Sequence, residues 1–202
     1  MATLKSKILL LILLLPLLVM ANEAKAEEFL RQISEQYDQI STFQADFIQS
    51  NSWTNMDQKL ESSGKIYYDA DNLILKYTEP EEQVMKIYQN EISIYQAANN
   101  RLMISENKEI SLQPLDIIRQ YWEISDIHLI EIPEGYSLKL QYPNGKVEAN
   151  IRDWMIYDII IEDSSGNRVG YHFQNIEINQ KLAADIFELP VDENSEIIDL
   201  RK

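Results

Sequence analysis

The side chains that could carry covalent or metal chemistry are few in this 202-residue chain, and they do not converge in the sequence. Its two histidines, His128 and His172, both fall inside β-patterned runs, where an imidazole reads first as an ordinary strand residue. There is no cysteine, which removes a thiol nucleophile and any cysteine-ligated metal. The five glycines form neither a Gly-x-Ser-x-Gly elbow nor a phosphate loop, and neither histidine belongs to a His-Glu-x-x-His pair. Asp69-Ala70-Asp71-Asn72 opens like a calcium loop, but Ile74 takes the sixth position, where such a loop needs glycine. The segment therefore reads as a turn between strands. The acid pairs Glu81-Glu82 and Glu162-Asp163 could in principle act on a glycosidic bond, yet with nothing beside them to raise a pKa they read as solvated turn carboxylates. The chain is expected not to be an enzyme, and to need no metal and no cofactor.

What it has instead is apolar patterning. Lys5 and Lys7 precede an apolar run over residues 8–20 that only Pro16 interrupts. That run falls short of the roughly 20 residues a spanning helix needs, and the small-x-small sequence Ala24-Lys25-Ala26 follows it, so residues 1–26 read as an export signal peptide. Cleavage is expected after Ala26, with Ala21 as the alternative, leaving a single domain over residues 27–202. Loss of Lys5, Lys7, Lys25 and Glu23 deepens the net charge from −15 to −17. This balance serves solubility and argues against nucleic acid or anionic membrane surfaces as partners. A chain of this size buries about 70% of the surface its unfolded form exposes, enough for a sizeable core or an internal hollow.

The elements that must position the apolar residues follow from periodicity. Phe29, Ile33, Tyr37 and Ile40, with Leu30 beside them, form one helical stripe opposite Glu28, Arg31, Gln32, Glu35 and Asp38. From Phe43 the pattern changes to short runs rich in Ile, Tyr, Val and Phe, near 43–51, 60–68, 73–78, 83–88, 91–96 and 102–105. Leu112, Leu115, Ile118, Tyr121 and Trp122, with Pro114 suited to a first helical position, predict a short second helix. Strands resume near 127–132, 136–142, 146–151, 155–163 and 168–178, separated by Pro133-Glu134-Gly135, Pro143-Asn144-Gly145 and Ser164-Ser165-Gly166-Asn167. Residues 136–142 alternate without a fault, so one face meets a core and the other meets water. Gln89-Asn90 reads as a hairpin turn, and the acidic stretch 192–196 as solvated. So many antiparallel strands with only two helices predict a mainly β (α+β) domain: a curved, incompletely closed barrel capped by helices.

Several blocks, in order, resemble the periplasmic outer-membrane lipoprotein carrier (LolA) family. Lys76-Tyr77-Thr78-Glu79-Pro80-Glu81-Glu82-Gln83 resembles its strand-turn signature. Phe43-Gln44-Ala45-Asp46-Phe47-Ile48-Gln49 and Gly64-Lys65-Ile66-Tyr67-Tyr68 resemble its first two strands. Residues 159–163, Gly166-Asn167, Tyr171-His172-Phe173-Gln174-Asn175, then Asn179, Leu182, Phe187 and Pro190 are similar to its closing pattern. The resemblance implies a half-open antiparallel β-barrel with a helical lid enclosing an apolar cavity. It also implies a monomeric periplasmic chaperone that takes acylated lipoproteins from an inner-membrane ABC-type release complex to an outer-membrane acceptor lipoprotein. The acceptor relative carries a lipidated cysteine, which this chain lacks, so the resemblance points to the soluble carrier.

The expected walls of an acyl-chain cavity are Phe47, Ile66 and Tyr68, then Leu75, Tyr77, Met85 and Ile87, then Ile94, Met103, Leu138 and Leu140. Leu115, Ile118, Tyr121 and Trp122 would come from the lid. Two departures stand out. Where family members have a basic residue thought to latch the lid, this chain reads Asp69-Ala70-Asp71, and Leu75 stands where an aromatic Trp is frequent. The lid is therefore expected to close by apolar contact. Two other function classes remain open at this level: a lipid-binding or lipoprotein-sensing module of the same fold, and a periplasmic hydrolase.

Overall fold

The computed structural model describes residues 24–54, 58–69, 71–107 and 113–201. Its strands are β1 (Thr42–Trp53), β2 (Gln58–Asp69), β3 (Asn72–Glu79), β4 (Gln83–Tyr88), β5 (Glu91–Gln96), β6 (Arg101–Glu106), β7 (Asp126–Ile132), β8 (Gly135–Tyr142), β9 (Gly145–Arg152), β10 (Met155–Asp163), β11 (Arg168–Ile178) and β12 (Glu196–Asp199). All belong to one sheet in the order β12-β6-β5-β4-β3-β2-β1-β11-β10-β9-β8-β7, so the barrel stays open between β12 and β7. Neighbours are antiparallel except β12, which adds to β6 in parallel. Two runs of sequence-adjacent hairpins form two wings, and β1 joins them by pairing with β2 on one side and β11 on the other. The half-open, mainly β architecture expected from the sequence is the one observed.

The turns form where the sequence places them. Gly135 and Gly145 close the triplets read as turns, at φ 140° and 154°. A Cβ at either would sit 2.0 Å from a carbonyl oxygen, of Ile151 and Glu162 respectively, so only glycine fits. Asp69 closes the β2–β3 turn itself: its Oδ1 accepts from the backbone N–H of Asp71 at 3.0 Å and of Asn72 at 2.8 Å. The aspartate resembling the start of a calcium loop is thus spent on a turn, as the misplaced Ile74 predicts.

Two helices lie on the concave face. α1 (residues 24–37) buries the stripe Phe29, Ile33 and Tyr37, and Ile40 follows just beyond its end. Phe29 meets the rings of Tyr136 and Trp154 at 5.1 and 6.0 Å between centroids, and the Ile156 backbone N–H donates to the Tyr37 hydroxyl at 3.1 Å. α2 (Pro114–Trp122) begins with Pro at its first turn, and the Gln113 N–H donates to the Asp116 carboxylate at 3.3 Å. It buries Leu115, Ile118 and Trp122. Of the segment read as an export signal, residues 1–23 lie outside the described residues; residues 24–26 form the first turn of α1, with Ala26 buried. Leu112 also lies outside them. Among the described residues no helix is long and apolar enough to cross a membrane.

One expectation needs correction. The acidic stretch near the C-terminus is not only solvated: its exposed carboxylates are also tied to the fold. Beyond β11 the chain is pinned by Thr42 Oγ1 donating to the Gln180 carbonyl at 2.6 Å and by Asn179 Oδ1 accepting from the Ser41 N–H at 2.8 Å. It then crosses the convex face. A 3-10 turn, Ala184–Phe187, contacts β3, and Lys86 donates to the Phe187 carbonyl at 2.8 Å. Ile74, Ser93, Leu102 and Phe187 are buried on this side, which gives the β3–β6 wing a second small core. Asp192 then receives the Asn100 side-chain amide at 3.2 Å, and Glu196 opens β12 with its carboxylate on Arg101 at 2.8 Å. Deleting residues 192–202 is expected to strip the β6 edge and promote edge-to-edge association, seen as a shift to larger species than the full-length chain forms in light scattering coupled to gel filtration.

Candidate functional site: the concave apolar face

Because partners directly opposite in an antiparallel pair share a face, the pairing register places the expected wall residues. Ala45, Ile66, Leu75, Met85, Ile94 and Met103 follow one another across β1 to β6, and Ile198 of β12 continues the row. Phe43, Tyr68, Leu73, Ile87 and Ile92 form the next row. Leu138 and Leu140 line the opposite wing, paired with Ala149 and Val147. All the expected wall positions on strands thus face one concave surface, and those on α2 lie over it. Sequence reasoning passed over Leu73, Val147, Ala149, Ile151, Ile159 and Phe173, all buried in the same core. Their signal was present in the alternation of residues 147–151 and 171–173.

The surface has two parts. Phe47, Ile66, Leu75, Ile87, Leu138 and Leu140 are buried, with Leu115, Ile118 and Trp122 of α2 against them, and the part-buried Tyr68, Tyr77, Met85 and Tyr121 pack on the same core. Ile94, Met103 and Ile198, further along the β4–β6–β12 wing, are half-buried and stand outside that core. The hollow expected from the sequence is, in this form, largely filled by α1 and α2. Between Tyr37, Ile40, Phe43, Ile66, Tyr68, Leu73, Gln113 and Pro114 a cavity of about 10 Å³ remains, room for at most one water.

At the centre of the face a glycine makes an aromatic contact possible. Gly64 of β2 lies between Phe47 and Tyr77 in register, and a Cβ there would stand 2.1 Å from the Lys76 carbonyl oxygen. With no side chain between them, the Phe47 and Tyr77 rings meet edge to face at 5.0 Å and 83°, a geometry that favours an aromatic pair. The Tyr77 hydroxyl donates to Gln49 Oε1 at 2.8 Å and also contacts Tyr171. Burial pushes the Tyr77 hydroxyl above the ordinary tyrosine range, and the neighbouring Tyr171 adds to that; burial raises Tyr171 as well.

What holds α2 down is mainly apolar. Among the described residues its longer polar ties run to α1 and the turn that follows it: Trp122 Nε1 to Glu27 at 3.2 Å, and Arg119 to Asp38 at 3.2 Å. Against the sheet it offers side-chain packing, the stack of Tyr121 on Tyr142, centroids 4.5 Å apart, and one hydroxyl contact between those same two part-buried side chains. α1 has a firmer anchor in Tyr37. Replacing Tyr37 with Phe leaves the buried Ile156 N–H without its partner and is expected to cost about 1–3 kcal/mol, read from the urea midpoint. Burial raises the Tyr37 pKa, so its contribution is whole below the unfolded value of about 10 and declines as pH rises beyond it. Stability between about pH 10 and 11 should therefore fall less steeply in Tyr37→Phe.

Among the described residues the ionisable groups of the convex side are spread across strands. His172 Nδ1 lies 2.5 Å from Asp158 Oδ1, and Asp158 also receives Asn150 Nδ2 at 3.3 Å. Ser137 pairs with Asn150, which puts it three strands from His172, about 14 Å at ordinary strand spacing. That is too far for a nucleophile and its base. His128 sits on β7, paired with Lys139. Among the described residues no group of three carboxylates or histidines could hold a metal ion.

No protein-family model and no curated protein matches the chain. Solved structures do. An uncharacterized conserved protein from Thermus thermophilus aligns at a TM-score of 0.54 and 16% identity, over 87% of this chain and 99% of its own. It shares the fold. A LolA superfamily protein from Nitrosomonas europaea aligns at 0.45 and 14% identity over 79% of this chain and 97% of its own. A putative outer membrane lipoprotein-sorting protein domain from Vibrio parahaemolyticus aligns at 0.41 and 7% over 80% and 95%. The last two likenesses are too distant to carry weight of their own.

Proposed function

We propose that the chain is a periplasmic carrier that shields lipoprotein acyl chains on its concave face, receiving them at an inner-membrane release complex and surrendering them to an outer-membrane acceptor. The observation that carries this reading is the hold of α2. A helix that buries Leu115, Ile118 and Trp122 against an apolar sheet, and whose one polar tie to that sheet joins the part-buried Tyr121 and Tyr142 hydroxyls that water can reach, can be displaced by another apolar body without stranding buried hydrogen bonds in the sheet. Each acyl methylene removed from water is worth about 0.8 kcal/mol, so a lipid tail can compensate for the contacts the helix gives up. The sequence resemblance points the same way. The adjoining Met85, Ile94 and Met103 suit such a role, since aliphatic and thioether side chains adapt to flexible tails. With the closed form already well packed, affinity stays moderate and transfer can run downhill to a tighter acceptor without local ATP hydrolysis.

The reading includes export with removal of the leader, no catalysis and no cofactor. Cleavage after Ala21 would keep α1 whole, whereas cleavage after Ala26 would remove the turn bearing that buried alanine; the intact mass of the exported protein separates the two. The central experiment purifies the mature protein from its own envelope and identifies what is bound by mass spectrometry. Acylated lipoproteins are expected, and depletion should leave outer-membrane lipoproteins at the inner membrane. Recovery of free lipid alone, with lipoprotein sorting undisturbed on depletion, would favour the lipid-binding module instead.

A further inference from the structure

Along one border of the concave face the side chains turn from apolar to polar in register. Tyr77 of β3 pairs with Gln83, Gln83 with Gln96, and Gln96 with Arg101. Gln49 of β1 joins this border through the Tyr77 hydroxyl. All five are part-buried. They run beside the half-buried strip of Met85, Ile94, Met103 and Ile198, one residue pair further along the same strands. The strip spans three strand spacings, about 14 Å, enough to lay a length of extended acyl tail across it.

The hydrogen bonds of this border are unevenly spent. Arg101 is committed to Glu196 at 2.8 Å, and Tyr77 to Gln49. The side-chain amides of Gln83 and Gln96 make no hydrogen bond to protein among the described residues, so four N–H donors and two carbonyl acceptors along this border are left to solvent and to any ligand that replaces it. A phosphate or free carboxylate would want an uncompensated cation, and the one guanidinium here is already neutralised. Ester and amide carbonyls are neutral acceptors and match free amide donors.

We propose that Gln83 and Gln96 form the head subsite of the carrier's groove, binding the ester or amide carbonyls of an acylated peptide while its tail lies along Met85, Ile94 and Met103. The assignment rests on the carrier reading and adds an orientation and a head chemistry to it. The strip alone would take any hydrocarbon. The row beside it makes the site select amphiphiles whose polar end is uncharged.

The test titrates the full mature protein with three probes: a triacylated synthetic peptide, an alkyl-chain fluorophore lacking carbonyls, and a single-chain phosphatidylglycerol. In the double variant Gln83→Leu/Gln96→Leu the acylated peptide is expected to bind about tenfold more weakly, while the alkyl probe binds as before or tighter. Equal affinity of wild type and variant for the acylated peptide overturns the head subsite, as does a wild-type preference for the phosphatidylglycerol probe. Binding of none of the probes by wild type overturns the carrier reading itself, and this proposal with it. Should the leucine pair fail to fold, Gln83→Ala/Gln96→Ala removes the same donors with less exposed apolar surface and is judged by the same outcomes.

Discussion

Cross-linking α2 to β8 is expected to stop acyl-chain uptake. In the double variant Tyr121→Cys/Tyr142→Cys, a short cleavable bifunctional reagent should bridge the gap left by two rings that stack at 4.5 Å. The chain has no other cysteine, so the bridge is unique. With the helix fixed over Leu138 and Leu140, the deep part of the concave face stays occupied by Leu115, Ile118 and Trp122, and a residual cavity of about 10 Å³ admits no tail. Binding of a triacylated peptide should weaken at least tenfold, or over about 1.4 kcal/mol, and recover when the linker is cleaved. Binding by the double variant before it meets the reagent sets the reference for both measurements. Undiminished uptake by the cross-linked protein would mean that loading never requires α2 to leave, and the lid would lose its role.

The second large effect falls on stability. Phe47 is buried at the junction of the two wings, in ring contact with Tyr77 at 5.0 Å and Tyr171 at 6.2 Å. It faces Gly64, which contributes no side chain of its own to fill a gap. Phe47→Ala should therefore cost about 3–5 kcal/mol, a large share of the roughly 5–15 kcal/mol that a domain of this kind usually has. Chemical denaturation followed by tryptophan fluorescence would show it as a lowered midpoint with an unchanged slope. Phe47→Leu, which keeps most of the volume, should lose much less. Equal loss in both variants would refute the account of why this site is demanding.

Much of this architecture is legible in the residues themselves. The faultless alternation of 136–142 and the glycine-terminated triplets around it locate β8 and β9, because a two-residue period and a positive φ leave few alternatives. The stripe of Phe29, Ile33 and Tyr37 marks α1 for the same kind of reason. Other features were hidden. β12 is four residues long and acidic, with no period to detect; only the β6 edge beside it makes it a strand. Leu73-Ile74-Leu75 did carry a sign, an unbroken apolar run that breaks alternation, and such runs mean burial on both faces. The sheet is covered there by the C-terminal segment. The wall positions lie on one surface, but periodicity reports burial without saying what does the burying. That α1 and α2 occupy the hollow follows only from how the helices pack, and that Gln83 and Gln96 border it only from register between strands.

The pairing of β1 with β11 has a consequence in time. It aligns Phe47 with Phe173, bringing together segments from opposite ends of the domain, whereas the β2–β6 and β7–β10 hairpins join sequence neighbours. Local hairpins close quickly, and a high-contact-order seam closes late. Were the chain exported as proposed, threaded through a secretion pore as an extended polymer, it would thus emerge with each flank ready to zip and its middle still unsewn, and could not mature before almost all of its length had crossed.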